Sequence, residues 1–265
     1  MRLIVPIKQV PETNAVKMDP ETGTMIREGV QAIVNPLDLY AIEAAVSLRQ
    51  RYGGEVVVLT MGPPRAHTAL REAISMGCDG GVLLCGRQFA GSDTWATSYA
   101  LAAAVRKLGD FDLILCGERA TDGDTGQVGP GIAAFLDLPI VTYVGQIDSV
   151  TEDSCRLRRL VEHGHEVLEV STPAVLTVVK EVGDPRLPTL RGKQRARRQQ
   201  IPTWGAEDLD VREECLGLGG SPTRVVKIFR PTVARECDKR IANDEVSIHE
   251  ATDALVTFLK QRELL

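Results

Sequence analysis

The sequence predicts an α/β protein built on a doubly wound, mostly parallel sheet, with an antiparallel hairpin and a long C-terminal partner-binding extension. Three observations carry that prediction. Short apolar runs rich in Val, Leu and Ile alternate with segments of helical periodicity through the first half of the chain. After Pro139 the pattern changes to successive β-rich runs with no helix-length segment between them. From Gly183 to Gly220 the chain becomes irregular, basic and rich in Pro and Gly. At 265 residues it is long enough to bury an ample core without disulfide staples.

Leu3 to Val10 reads as the first strand, ending at Pro11, and Glu12 to Gly29 is polar and turn-rich, with a short hairpin or loop at Pro20–Gly23. Asn35-Pro36 opens a helix whose apolar positions Leu39, Ile42, Ala45, Val46 and Leu48 share one face, with Asp38 and Glu43 towards its front and arginines at its end. Gly53-Gly54 breaks it before Glu55 to Met61, a Val/Leu strand of the kind buried on both faces. Pro63 to Met76 is helical and Gly80 to Cys85 is a strand; Ser92 to Leu108 is an Ala-rich helix capped by Ser92, and Phe111 to Cys116 is a further strand. Such alternation requires crossover helices, hence a parallel sheet covered on both faces. Ile140 to Val150, Cys155 to Leu160 and Glu166 to Val170 form the antiparallel part, turning at His163-Gly164, and Ala174 to Lys180 returns to the main sheet. Val225 to Phe229 offers one more strand and Ser247 to Lys260 a closing amphipathic helix. The expected division is a nucleotide-binding domain over 1–182 and a recognition loop with C-terminal helix over 183–265.

The net charge of −5 gives no footprint for general nucleic-acid binding. Arg191-Gly-Lys193-Gln-Arg195-Ala-Arg197-Arg198 carries five cations without interleaved aromatics, which suits a partner-facing surface loop. The six cysteines are dispersed, with no C-x-x-C, and the four histidines have no metal-ligand spacing to them, which points to a reducing compartment and away from zinc or iron–sulfur ligation. The N-terminus lacks a signal-peptide layout and no apolar run reaches membrane-spanning length, so the expected location is the cytoplasm. P-loop, G-x-G-x-x-G and G-x-S-x-G motifs are missing, which removes the best evidence for phosphoryl transfer, a standard dinucleotide fold or a hydrolytic triad. No side chain is expected to be catalytic.

The most informative run is Cys116-Gly-Glu-Arg-Ala-Thr-Asp122-Gly-Asp124-Thr125-Gly126-Gln127-Val128-Gly-Pro130, directly after a strand and before a helix expected over Gly131 to Leu138. In an open parallel sheet this transition lies at the carboxyl end of a strand, where helix N-terminal N–H groups can take a phosphate. Gly123 and Gly126 permit close backbone approach, Thr125 and Gln127 supply neutral donors, and Asp122 or Asp124 can accept from ribose hydroxyls. A plain turn capped by Asp124 or Thr125 is the competing reading.

Together with Val5-Pro-Ile-Lys-Gln-Val10, Asn35-Pro-Leu-Asp38, Thr60-Met-Gly-Pro63 and Asp184-Pro-Arg-Leu-Pro-Thr-Leu190, this loop makes the chain resemble, over nearly its whole length, the beta subunit of electron transfer flavoproteins. The resemblance implies a heterodimer with an alpha subunit. In the family's ordinary carriers the beta pocket holds AMP; in its bifurcating branch it holds a second FAD. Asp122-Gly-Asp-Thr-Gly-Gln-Val-Gly-Pro130 resembles the bifurcating form, as do Val10-Pro-Glu12 and Ser221-Pro-Thr-Arg-Val225. FAD is therefore the expected cofactor, with AMP the alternative, NADH as transient donor, and ferredoxin or flavodoxin and an acyl-CoA dehydrogenase or related flavoenzyme as acceptors. A stand-alone adenine-nucleotide-binding module is the more distant alternative. Carried over by position, Pro6 and Asn35 contact the adenosine region and Met61 packs near adenine. Thr125, Gly126, Gln127 and Val128 hold phosphates, while Asp122 and Asp124 order the loop or bind ribose. Leu190 aligns with a leucine that inserts into partner dehydrogenases, and Arg191, Lys193 and Arg195 steer the encounter.

Overall fold

A computed structural model describes residues 1–12, 32–226 and 239–265. Residues 1–226 form one compact unit and 227–265 a second. In chain order the first contains β1 (Arg2–Pro6), β2 (Gln9–Pro11), β3 (Ala32–Val34), α1 (Asp38–Tyr52), β4 (Glu55–Met61), α2 (His67–Met76), β5 (Gly80–Leu84), α3 (Thr94–Leu108), β6 (Leu113–Gly117) and α4 (Val128–Leu136). It continues with β7 (Ile140–Val150), β8 (Ser154–Val161), β9 (Gly164–Ser171), β10 (Ala174–Val178), α5 (Leu190–Arg198), β11 (Thr203–Trp204) and the single turn α6 (Gly217–Gly220).

The nine-stranded sheet has the order β11-β5-β4-β1-β6-β10-β7-β8-β9. Every pair from β11 to β7 is parallel, and β7, β8 and β9 are antiparallel. β2 and β3 form a separate antiparallel pair. Strand parity divides the core in two. Leu3, Val5, Val56, Val58, Leu113, Leu115, Ala174 and Leu176 pack on the face covered by α1 and α2. Ile4, Leu59, Ile114, Cys116 and Val175 point the other way, towards α3 and α4. Successive strand residues face opposite sides, so a run apolar at every position is what two covered faces demand.

Several sequence expectations need correction. Asp93, not Ser92, caps α3: its carboxylate accepts from the N–H groups of Trp95 and Ala96, both at 3.0 Å, because an Ncap side chain reaches forward to the second and third helical residues, which Ser92 stands one residue too early to do. The fourth helix starts at Val128 rather than Gly131. The basic run is no loop. It forms α5, capped by Thr189 and laid against α2 so closely that a Cβ on Gly192 would stand 2.1 Å from the Ser75 carbonyl oxygen. Only Ala196 of α5 is buried, which is why no apolar periodicity announced it. Val225 and Val226 are exposed and outside any strand, and the remainder of that expected strand, like Pro20–Gly23, lies outside the described residues. Within the 183–226 stretch, β11 pairs with β5 and extends the main sheet.

In the second unit α7 (Glu245–Gln261) is capped by Asp244, which accepts from the Ser247 N–H at 2.8 Å. Val246, Ile248, Leu255 and Phe258 on it are exposed.

Candidate nucleotide site

The site occupies the carboxyl edge of the parallel sheet, where β1, β4 and β6 end beside one another. Pro6 closes β1 opposite Leu59, and Met61 closes β4, half-buried. Beyond Pro6 the chain stays tied to β4, since Ile7 N–H donates to Leu59 O at 2.8 Å and the Thr60 hydroxyl donates to Ile7 O at 2.7 Å. β6 ends at Gly117 and gives way to the loop that leads to α4.

Asn35 is wholly buried and binds this loop to the start of α1. Its Nδ2 donates to Asp38 Oδ1 and to the Arg119 carbonyl oxygen, each at 2.9 Å, and its Oδ1 accepts from Thr121 N–H at 3.1 Å. That pattern fixes the amide orientation, because a flip would set a carbonyl oxygen against two acceptors. Asp38 completes the arrangement by accepting the Lys8 N–H at 2.7 Å. Burial pushes its carboxyl up to about 7 despite the hydrogen bonds from Asn35 and Lys8.

The two loop carboxylates are turned towards cations. Asp122 pairs with Lys8 Nζ at 2.7 Å and Asp124 with Arg119 Nε at 3.1 Å. Asp124 and Gly126 adopt left-handed backbone, with φ of +53° and +63°. Asp tolerates this conformation better than most residues. Gln127 is the residue before α4, and no side chain caps the helix. The Gln127 carboxamide instead accepts from the Thr94 hydroxyl at 2.8 Å. The capped-turn reading by Asp124 or Thr125 therefore fails. A tight, glycine-bearing bend delivers a helix N-terminus whose first N–H groups have no side-chain acceptor, and its acidic side chains are neutralised or turned aside. That donor set suits the phosphates of a nucleotide.

Asn35 and Lys8 tie Thr121 and Asp122 of the loop to the chain beyond Pro6, while Asp124, Thr125, Gly126 and Gln127 follow in the same loop, Val128 opens α4, and Met61 ends the neighbouring strand β4. Leu190, Arg191, Lys193 and Arg195 lie elsewhere, on α5 beside the C-terminal end of α2, at the opposite edge of the sheet. Leu190 is 87% exposed. Arg195 differs from its neighbours: its Nη2 donates to the carbonyl oxygens of Ile74 at 2.9 Å and Cys78 at 2.7 Å. Sequence reasoning missed Lys8, Asp38, Thr94 and Gly117. The motifs Val5–Val10 and Asn35–Asp38 contained two of them, but an acidic residue in a first helical turn carries no signal that distinguishes a buried hub from a solvated charge. Among the described residues there is no cluster of His, Cys, Asp and Glu fit for a metal, and no helix is long and apolar enough to cross a membrane.

The electron transfer flavoprotein domain family matches residues 22–209. The chain belongs to the electron transfer flavoprotein family, beta-subunit type. It is 46% identical to the caffeyl-CoA reductase-Etf complex subunit CarD of Acetobacterium woodii, with both chains covered completely. It is 45% identical, again over the full length of both, to the electron transfer flavoprotein subunit beta of Thermoanaerobacterium thermosaccharolyticum. The protein FixA of Azorhizobium caulinodans is 42% identical over 99% of this chain and 95% of its own. As a member of this beta-subunit family, the chain is built to pair with an alpha subunit and to pass electrons to a redox partner.

Proposed function

We propose that this electron transfer flavoprotein beta subunit holds FAD at the Asp122–Val128 bend and takes part in NADH-dependent electron bifurcation. One electron would go to ferredoxin or flavodoxin, the other through the alpha-subunit FAD to an acyl-CoA dehydrogenase-type partner. The observation that carries the nucleotide assignment is the uncapped N-terminus of α4 behind left-handed Asp124 and Gly126. The FAD assignment is supported by the Asp122–Pro130 motif, and the partner class by similarity to a protein named as part of a caffeyl-CoA reductase-Etf complex.

FAD supplies hydride acceptance and single-electron release when bound. The side chains of this subunit bind and orient. The N–H groups of Thr125 to Val128 receive phosphate oxygens, and the Lys8–Asp122 and Arg119–Asp124 pairs keep both carboxylates off those oxygens. Asn35 acts through the loop backbone it holds, with Pro6 and Met61 at the edge offered to the adenosine. At the far edge, exposed Leu190 is a docking anchor for the dehydrogenase, with Arg191 and Lys193 as steering charges. The recognition segment from residue 183 and the exposed apolar positions of α7 serve partner binding, α7 against the alpha subunit. The test is turnover by the purified heterodimer supplied with NADH, ferredoxin and an enoyl-CoA-reducing partner. Ferredoxin reduction that requires the second acceptor supports the proposal; NADH left unoxidised overturns it.

A further inference from the structure

Asp38 is fully conscripted by neighbours that belong to three separate segments, and none of the roles above uses it. Its Oδ2 accepts from Lys8 N–H beyond β1, and its Oδ1 accepts from the Asn35 amide, which in turn holds Arg119 O and Thr121 N–H. The end of β6 is shaped around it: a Cβ on Gly117 would lie 2.4 Å from Asp38 Oδ1 and 2.9 Å from the Leu37 carbonyl. Glycine at 117 is therefore what lets this carboxylate sit under the departing loop. The side chain is 0% exposed at Asn35 and 6% at Asp38, so neither can exchange these partners for water.

We propose that Asp38 is a positioning residue for the nucleotide bend: by orienting Asn35 it sets the backbone at Arg119 and Thr121, and with it the affinity of this subunit for its nucleotide. This rests on the nucleotide-binding reading above. Each carboxylate oxygen accepts one N–H, and the ionised form accepts both with charge-assisted strength; a proton leaves the group able to accept but weakens the hold on Lys8 N–H and Asn35 Nδ2. The charged groups acting on Asp38 are Lys8 from the end of β1, which favours its ionised form, and Asp122 from the loop, which opposes it; the Cys116 thiol, on the other face of β6, feels the Asp38 charge but is pushed up chiefly by burial. Burial dominates and brings the carboxyl to about 7. Nucleotide holding should therefore weaken as pH falls through neutrality. Fold stability has the opposite sign: a carboxyl raised above its unfolded value of 3.8 binds its proton more tightly in the folded state, so this site's contribution to stability falls as pH rises towards 7. The two opposing trends separate positioning from mere structural support.

The experiment measures nucleotide release from the purified heterodimer at pH of about 8 and about 6, with released FAD read by fluorescence and AMP by chromatography, for the wild type and Asp38→Asn. Loss of one satisfied hydrogen bond corresponds to roughly tenfold. The expected result is one nucleotide released about tenfold faster at the lower pH in the wild type, and fast release at both pH values in D38N. A flat wild-type profile overturns the proposal, as does a D38N profile that matches the wild type. The wild-type profile decides the question by itself if D38N does not fold. No nucleotide bound by this subunit at the higher pH would instead remove the underlying reading, an outcome distinct from bound nucleotide indifferent to Asp38.

Discussion

The Thr121 N–H donates to Asn35 Oδ1 at 3.1 Å, a bond across 86 positions of sequence that fastens the β6–α4 loop to the entry of α1. Asn35→Ala removes this bond and both Nδ2 bonds at once, leaving Arg119 O and the Asp38 carboxylate short of a donor in a dry site. The expected loss is about 2–4 kcal/mol of stability in chemical denaturation of the heterodimer, accompanied by weaker nucleotide retention.

α3 and α4 approach closely at Gly131, where a Cβ would stand 2.3 Å from Ser98 Oγ and 2.7 Å from its Cβ. Gly131→Ala should destabilise the subunit by about 1–3 kcal/mol despite the better helix propensity of alanine. Adding Ser98→Gly, which clears both clashing atoms, should recover part of that loss. A thermal-unfolding double-mutant cycle reads the coupling.

α5 carries two kinds of residue that a single basic motif concealed. Leu190→Ala removes an exposed side chain, so it should leave unfolding within about 0.5 kcal/mol of the wild type while slowing electron delivery to the dehydrogenase. Arg195→Ala should do the reverse in stability, because two carbonyl oxygens at the end of α2 lose their donor. Unfolding and reduction of the dehydrogenase, measured on both variants, separate the roles.

Arg186 grips Glu43 through Nε and Nη2, both at 2.7 Å, and anchors the chain just before the docking helix. Burial raises the Glu43 carboxyl, but the Arg186 and Ser47 hydrogen bonds outweigh it and hold the carboxyl below its ordinary 4.5. A carboxyl depressed in the folded state contributes stability that is present above 4.5 and lost as pH falls below it. Arg186→Met should thus cost about 1–2 kcal/mol near neutrality and little at strongly acidic pH, in denaturation curves recorded across that range.

The alternating core was legible because strands buried on both faces leave unbroken apolar runs, as at Leu113–Cys116 and Ala174–Val178. The bend between β6 and α4 was legible from Gly123 and Gly126 between a strand and a helix. What escaped was set by tertiary neighbours. Helix α5 rests on Gly192 fitting against Ser75 and on a single buried alanine, neither of which produces periodicity. Asp93 and Ser92 are adjacent candidate caps that composition alone cannot rank. Asp38 looked like a first-turn acid complementing the helix dipole, and its burial depends on the absent side chain at Gly117, far away in sequence.

On the proposal made above, the bend at Asp122–Val128 carries a flavin dinucleotide. Nucleotides released by denaturing the purified heterodimer, separated by chromatography and counted against protein, test it most directly. Two FAD and no AMP per heterodimer is the expected count; one FAD with one AMP would overturn the assignment.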